Sequence, residues 1–338
     1  MNIRPILLAC IGAVAFSACS TDLDVTAPYK ENTVVYALLN KDSTTQYVKI
    51  NKAFLGPGNA FEYAQVPDSI EYGNGQLQAT VHKIKDGLVV ASYPLRDTLW
   101  AHDPGIFAGP VHKLYYFTAP LDSTATYRLE ATAKGNTIVA ETPVVGKLTP
   151  SSNILSQPLR LVGLGQVYVS PLIKWNTAPN GKRYDVSYRF RWDDVVGNDT
   201  IPRSFIQNLG TATSFGLGGS EELNVIMSGE MFFQTVGIRA GDNAQASKRI
   251  FRGVDILWAV AGPALYNYLQ LNNPISGLVE ERPTYTNVDN GYGIFSSRRF
   301  LTVTVNGLNA QTAPELVNGQ YTASLHFCIP GSGEFGCD

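Results

Sequence analysis

Four histidines, His82, His102, His112 and His326, are the first place to look for metal or acid–base chemistry in this 338-residue chain. His82 and His326 fall on the polar sides of strand-like runs, where a solvated surface accounts for them. His102 and His112 flank a Gly/Pro-rich stretch and are the one pair able to converge. No spacing fits a tight ligand set on a strand or helix, so no metal ion and no cofactor are expected. Paired carboxylates stand at Asp193-Asp194, Glu221-Glu222 and Glu280-Glu281. Neighbours on a strand point to opposite faces, which suits no shared glycosidic site, so each pair reads as solvated loop. With no nucleophile elbow and no phosphate-binding lysine loop, no catalytic residue is assigned. Aromatic side chains remain, because sugar rings and peptides stack on exposed Trp and Tyr. Trp175 and Trp192 occupy buried-face positions, whereas Trp100 lies beside His102 and Phe107 in the loop-like run 99–110. Trp100, His102, Phe107 and His112 are therefore the candidate binding loop, together with the Gly/Pro-punctuated insertion 56–75.

The elements that must hold these residues are strands. Charged residues make up only 16% of the chain, and Tyr, Phe and Gly are abundant beside three Met, which favours β structure over coiled coil or disorder. Basic and acidic residues balance at 26 to 28, so no nucleic-acid footprint is expected. Alternating runs at 33–39 and 46–54 form a first strand pair across the turn Asn40-Lys41-Asp42-Ser43. Runs at 77–81, 88–93, 111–118, 126–133 and 137–141 complete about seven strands, with Asp86-Gly87 as a hairpin turn. The expectation is a mainly β protein of two β-sandwich domains, immunoglobulin- or fibronectin III-like, the second with one or two short helices. The domains span 32–147 and 159–338, joined by a linker at 148–158. In the second, Tyr184, Val186, Tyr188, Phe190 and Trp192 share the buried face of one strand. Ser228 and Pro263 mark the starts of two short helices.

Residues 1–18 hold Arg4 and an apolar run about half as long as a membrane span, the pattern of a signal peptide. Phe16-Ser17-Ala18-Cys19 resembles a bacterial lipobox, in which the cysteine sulfur takes a diacylglycerol and the chain is cut before it. Leu7-Leu8-Ala9-Cys10 is a rival match, but leaves too short an apolar region. Residues 19–31 then read as a lipidated tether. Of the four cysteines, Cys328 and Cys337 remain, and in an exported protein a disulfide is expected between them, with two free thiols the alternative. Asp-Ser/Thr triplets at Ser43, Ser69, Thr98, Ser123 and Thr200 resemble the O-glycan acceptor motif of exported Bacteroidota proteins. They also resemble turns that precede strands.

Tyr127 after Asp122-Ser123-Thr124 resembles the fibronectin III strand whose tyrosine hydroxyl bonds backbone upstream. The whole chain resembles the Bacteroidota lipoproteins of domain of unknown function family 4249. That resemblance rests on Cys19 followed by Val34-Val35-Tyr36-Ala37-Leu38-Leu39 and by Val48-Lys49-Ile50. It rests also on Tyr266-Asn267-Tyr268-Leu269 before Asn272-Asn273-Pro274, and on the stretch from Asn287 through Gly291 and Gly293 to Phe295. It implies a non-catalytic lipoprotein anchored at the outer membrane through Cys19, facing outward, with the periplasmic face the alternative. Its implied role is accessory binding or assembly partner of a TonB-dependent receptor, for an unnamed ligand. A cell-surface adhesin or structural module is the second reading, and a glycan- or peptide-processing enzyme the third.

Overall fold

The computed structural model describes residues 32–53, 59–101, 103–241, 243, 245–272 and 284–337. The segments expected as signal peptide (1–18) and tether (19–31), with Cys19, and also His102 and Glu280-Glu281, lie outside them. The chain is mainly β, with 49% strand and 16% helix. Its first part contributes β1 (Asn32–Asn40), β2 (Thr45–Ala53), β3 (Leu77–Lys85), β4 (Leu88–Pro94), β5 (Arg96–Ala101), β6 (Val111–Thr118), β7 (Thr126–Ala133) and β8 (Asn136–Pro143). There follow β9 (Thr149–Pro150), β10 (Leu172–Asn176), β11 (Arg183–Val196), β12 (Asp199–Thr213), β13 (Glu222–Ile226) and β14 (Lys248–Ala261). The chain closes with β15 (Val288–Asp289), β16 (Tyr292–Thr304) and β17 (Phe327–Cys328). The helices are α1 (Ala60–Ala64), α2 (Pro67–Ile70), α3 (Ser152–Ser156), α4 (Gly229–Ala240), α5 (Pro263–Leu271) and α6 (Thr312–Asn318).

One long sheet, ordered β12-β11-β14-β16-β1-β2-β6-β5, runs through both sandwiches. Its β1-β2-β6 end packs on the sheet β15-β8-β7-β3-β4 around a core that includes Val35, Ile50, Tyr127, Leu129 and Phe295. At the other end, β11 and β14 pack on β13-β10-β9 and α4, around Trp175, Tyr184, Phe190, Phe232 and Trp258. Alternation places most of these side chains, the exceptions being Phe232 on α4 and Phe295 in the continuously buried run 293–297 of β16. Tyr184, Val186, Tyr188, Phe190 and Trp192 are all buried, while Arg189 and Arg191 between them point outward. Both anticipated helix starts occur: the Ser228 side chain accepts from the Met231 amide at 3.4 Å, and Pro263 opens α5.

Each sandwich carries a tyrosine bolted to the backbone upstream. The Asp122 amide donates to the Tyr127 hydroxyl at 2.9 Å, and the Ala178 amide to the Tyr184 hydroxyl at 2.9 Å. Burial pushes the Tyr184 phenol up to about 12, so it stays neutral at ordinary pH. Tyr127→Phe leaves the Asp122 amide without that acceptor and is expected to cost about 1 kcal/mol. An unchanged urea midpoint would refute the corner's contribution.

The structure departs from the sequence-based expectations at six places. The first sandwich ends with β15 and the first half of β16: β15 pairs with β8, and residues 292–298 of β16 pair parallel with β1. The division at 159–338 therefore gives this segment to the wrong unit, because a parallel partner so distant leaves no local signal. Residues 148–158 are no free linker, since Leu148 and Ile154 are buried in the second core. The insertion 56–75 contains α1 and α2, and Trp100 stands on β5 rather than in a loop. A further helix in the second half, α6, exceeds the one or two expected. Asp193 and Asp194 are buried ion-pair residues on β11, not solvated loop. Asp194 accepts from Trp192 Nε1 at 2.8 Å and lies 3.5 Å from Arg249 Nε, while Asp193 meets Arg252 Nε at 2.6 Å.

Candidate functional site

The long sheet shows its other face at β1 and β2, where Val34, Tyr36, Lys49 and Asn51 alternate with the core residues. Register sets Tyr36 beside Lys49 and Val34 beside Asn51, with Ile294 of β16 on the far side of Tyr36. The insertion forms a wall over this floor. Asn59 caps α1 by accepting from the Phe61 amide at 3.0 Å, and Pro67 opens α2. Lys52 Nζ donates to the Asp68 carbonyl at 2.5 Å, which seats α2 on β2. The Ala108 amide donates to the Ala64 carbonyl at 2.8 Å and Gln65 Nε2 donates to the Ile106 carbonyl. Loop 103–110 and α1 are thereby one roof. Beneath it lies a cavity of about 700 Å³, lined among others by Tyr36, Lys49, Asn51, Ile70, Phe107 and His112. That volume falls within the range of small-molecule sites.

Past Tyr36 the floor continues into a second hollow of about 480 Å³, between Tyr47, Arg298 and the α5 residues Leu265 and Tyr268. Ser296 Oγ accepts from the Leu265 amide at 3.0 Å and holds α5 on β16. Tyr36 borders both hollows, so the two form one groove with this ring at its waist. Burial, and then the neighbouring Tyr268, push the Tyr36 phenol up, so it remains a neutral hydroxyl. Along the floor Tyr47 meets Trp100 edge-on at 5.3 Å and Tyr116 at 6.3 Å. Tyr36 is 47% exposed and Tyr47 41%, which leaves open ring faces in the groove.

Of the candidate binding residues, Phe107 and His112 line the cavity, and Trp100 reaches the groove through Tyr47. His102 lies outside the described residues. Tyr36, Tyr47, Lys49 and Asn51 escaped sequence reasoning. Their signal was two tyrosines in outward slots of β1 and β2, where polar residues are the rule. Ser43 and Ser123 sit in turns, Ser69 in α2, Thr98 in β5 and the exposed Thr200 at the start of β12. Asp122 Oδ1 accepts from the Thr124 amide at 2.9 Å and its hydroxyl at 2.8 Å, so that Asp builds the turn itself. Cys328 and Cys337 form a disulfide with Cα atoms 5.0 Å apart. Among the described residues, no group of three or more His, Cys, Asp or Glu could hold a metal ion. Among them also, no helix is long and apolar enough to cross a membrane. No protein-family model matches the chain, and no curated protein matches it.

Proposed function

We propose that the chain is a non-catalytic, lipid-anchored binding protein of the outer membrane, facing outward and serving as accessory to a TonB-dependent uptake receptor. The roofed groove on the first sandwich carries the binding part of this reading: it is preformed, concave and floored by open aromatic rings. Cys19 supplies the anchor and holds the groove close to the receptor mouth. A diacylated and further acylated cysteine gives firm attachment, since one acyl chain alone binds only reversibly. Cys19→Ser is expected to lose all label from a fatty-acid probe and to leave the membrane fraction. Label retained in that variant would refute the anchor. Co-purification of a β-barrel receptor with the detergent-extracted chain supports the accessory role, and a clean monomer counts against it.

One observation favours the second reading, an adhesin or structural module. Leu88, Val89 and Val90 are consecutive, more than half exposed, and lie on β4 at the free edge of its sheet. Such an edge offers unpaired backbone and apolar side chains to another protein. Binding to host matrix or to other cells, with no receptor recovered, would decide for it.

A further inference from the structure

We infer that the groove takes a saccharide, with pyranose faces lying on Tyr36 and Tyr47. This deepens the binding-protein reading above and rests on it. A sugar ring is amphipathic in a particular way: one face is a patch of C–H groups, and the rim is hydroxyls that both donate and accept. The groove presents the complement of each. Tyr36 and Tyr47 alternate with core residues on one sheet surface and are each nearly half exposed, which leaves aromatic surface open to a ligand. Lys49 lies directly across from Tyr36, half-buried, and its ammonium has no carboxylate or carbonyl partner among the described residues. Two residues on, Asn51 Oδ1 is shielded from solvent, with no donor bonded to it among the described residues. Asn51 also lines the larger hollow, so its side-chain amide borders the space a ligand would fill. A ring on Tyr36 could then accept from Lys49 with one hydroxyl and donate to Asn51 with the next.

Other occupants fit less well. A peptide binding as an added strand needs a free, accessible backbone edge, and the groove offers little of one. β1 pairs with β16 over 34–40 and with β2 over 32–37, while β2 pairs with β6 over 45–48, and beside its remaining 49–53 stretch α2 is seated by the bond from Lys52 to the Asp68 carbonyl. An amphipathic helix or an acyl chain wants an unbroken apolar bed, which Lys49, Asn51, Lys52 and Glu71 in the lining of the larger hollow interrupt.

The test uses the full chain extracted in detergent, titrated by calorimetry with cellohexaose, chitohexaose, mannohexaose and oligogalacturonate, and in parallel with unstructured decapeptides. Binding to at least one saccharide is expected. Tyr36→Ala and Lys49→Met should each weaken it about tenfold, the size of one aromatic contact or one charged hydrogen bond. Tyr36→Phe keeps the ring and should retain most affinity, while thermal melting of all three variants stays at the parent value. No binding across the saccharides overturns the inference, as does binding that the variants leave intact. Peptide binding that the same variants abolish, without saccharide binding, overturns the sugar assignment. Failure to recover a receptor, with sugar binding intact, removes only the accessory role.

Discussion

Gly293→Ala should destabilise the first sandwich more than any other single-methyl change at this site. Gly293 sits at φ +102°, opposite Val35 in the parallel pairing of β16 with β1. A Cβ there would lie 2.0 Å from the Val35 carbonyl oxygen, a backbone atom of an interior strand that has no room to retreat. The cost combines backbone strain with overpacking, about 3 kcal/mol or more. Just beyond, the neighbouring loop is clasped by Asn287, whose amide donates to the Phe295 carbonyl at 2.8 Å and accepts from its amide at 3.0 Å. Pushing β16 off β1 would therefore also disturb Phe295, which is wholly buried in the first core. Gly307→Ala is the control: φ is +72° and nothing lies within 4 Å of the added carbon, so only strain of about 1 kcal/mol is expected. Equal melting temperatures for the two variants would contradict the clash.

The second large effect is expected at Asp255. Its carboxylate is 1% exposed on β14 and accepts from Arg189 Nε at 2.8 Å, Arg191 Nε at 2.9 Å and the Thr304 hydroxyl at 2.7 Å. Burial alone would push this carboxyl up, but the bonds from Thr304, Arg189 and Arg191 outweigh it and hold it below its usual value. Asp255→Asn removes the charge and leaves two guanidiniums facing each other. Both arginines are about one-third exposed and can rehydrate, which puts the loss near the low end for a broken buried pair, about 3 kcal/mol. Because the folded carboxyl titrates below its unfolded value, the stabilisation is complete above about pH 4 and is lost as pH falls through the folded pKa. Urea midpoints of parent and variant should thus converge on acidification from pH 6 to pH 2.5. A gap that stays constant would show that the charge is not what Asp255 contributes.

What could be read from the sequence was whatever depends on near neighbours. Alternation located β1, β2, β6 and β7 to within a residue or two and placed the aromatic face of β11 inward. The same period-two count, carried one step beyond Trp192, puts Asp194 inside as well. The reading stopped because a carboxylate was assumed to want water, whereas Arg249 and the Trp192 indole meet it there. Trp100 carries little strand signal, since β5 is a short edge strand that among the described residues pairs with β6 alone. Of the groove, the roof was foreseeable from its Gly/Pro-rich loops, and Phe107 and His112 were found that way. The floor was not, because outward residues of a sandwich strand are ordinarily bathed in solvent. Only the three-dimensional return of α1, α2 and loop 103–110 makes Tyr36 and Lys49 a site.

The shared strand β16 also sets an order of events in time. Its residues 292–298 complete the sheet that β1 and β2 begin, yet Tyr292 leaves the ribosome 258 residues after its partner Val34. Multidomain chains commonly fold their N-terminal unit first, during synthesis. Here that route is closed, since β1 lacks one of its two partners until β16 has been made. A chain so built leaves its first core open until β16 is in place, and both cores can then close together.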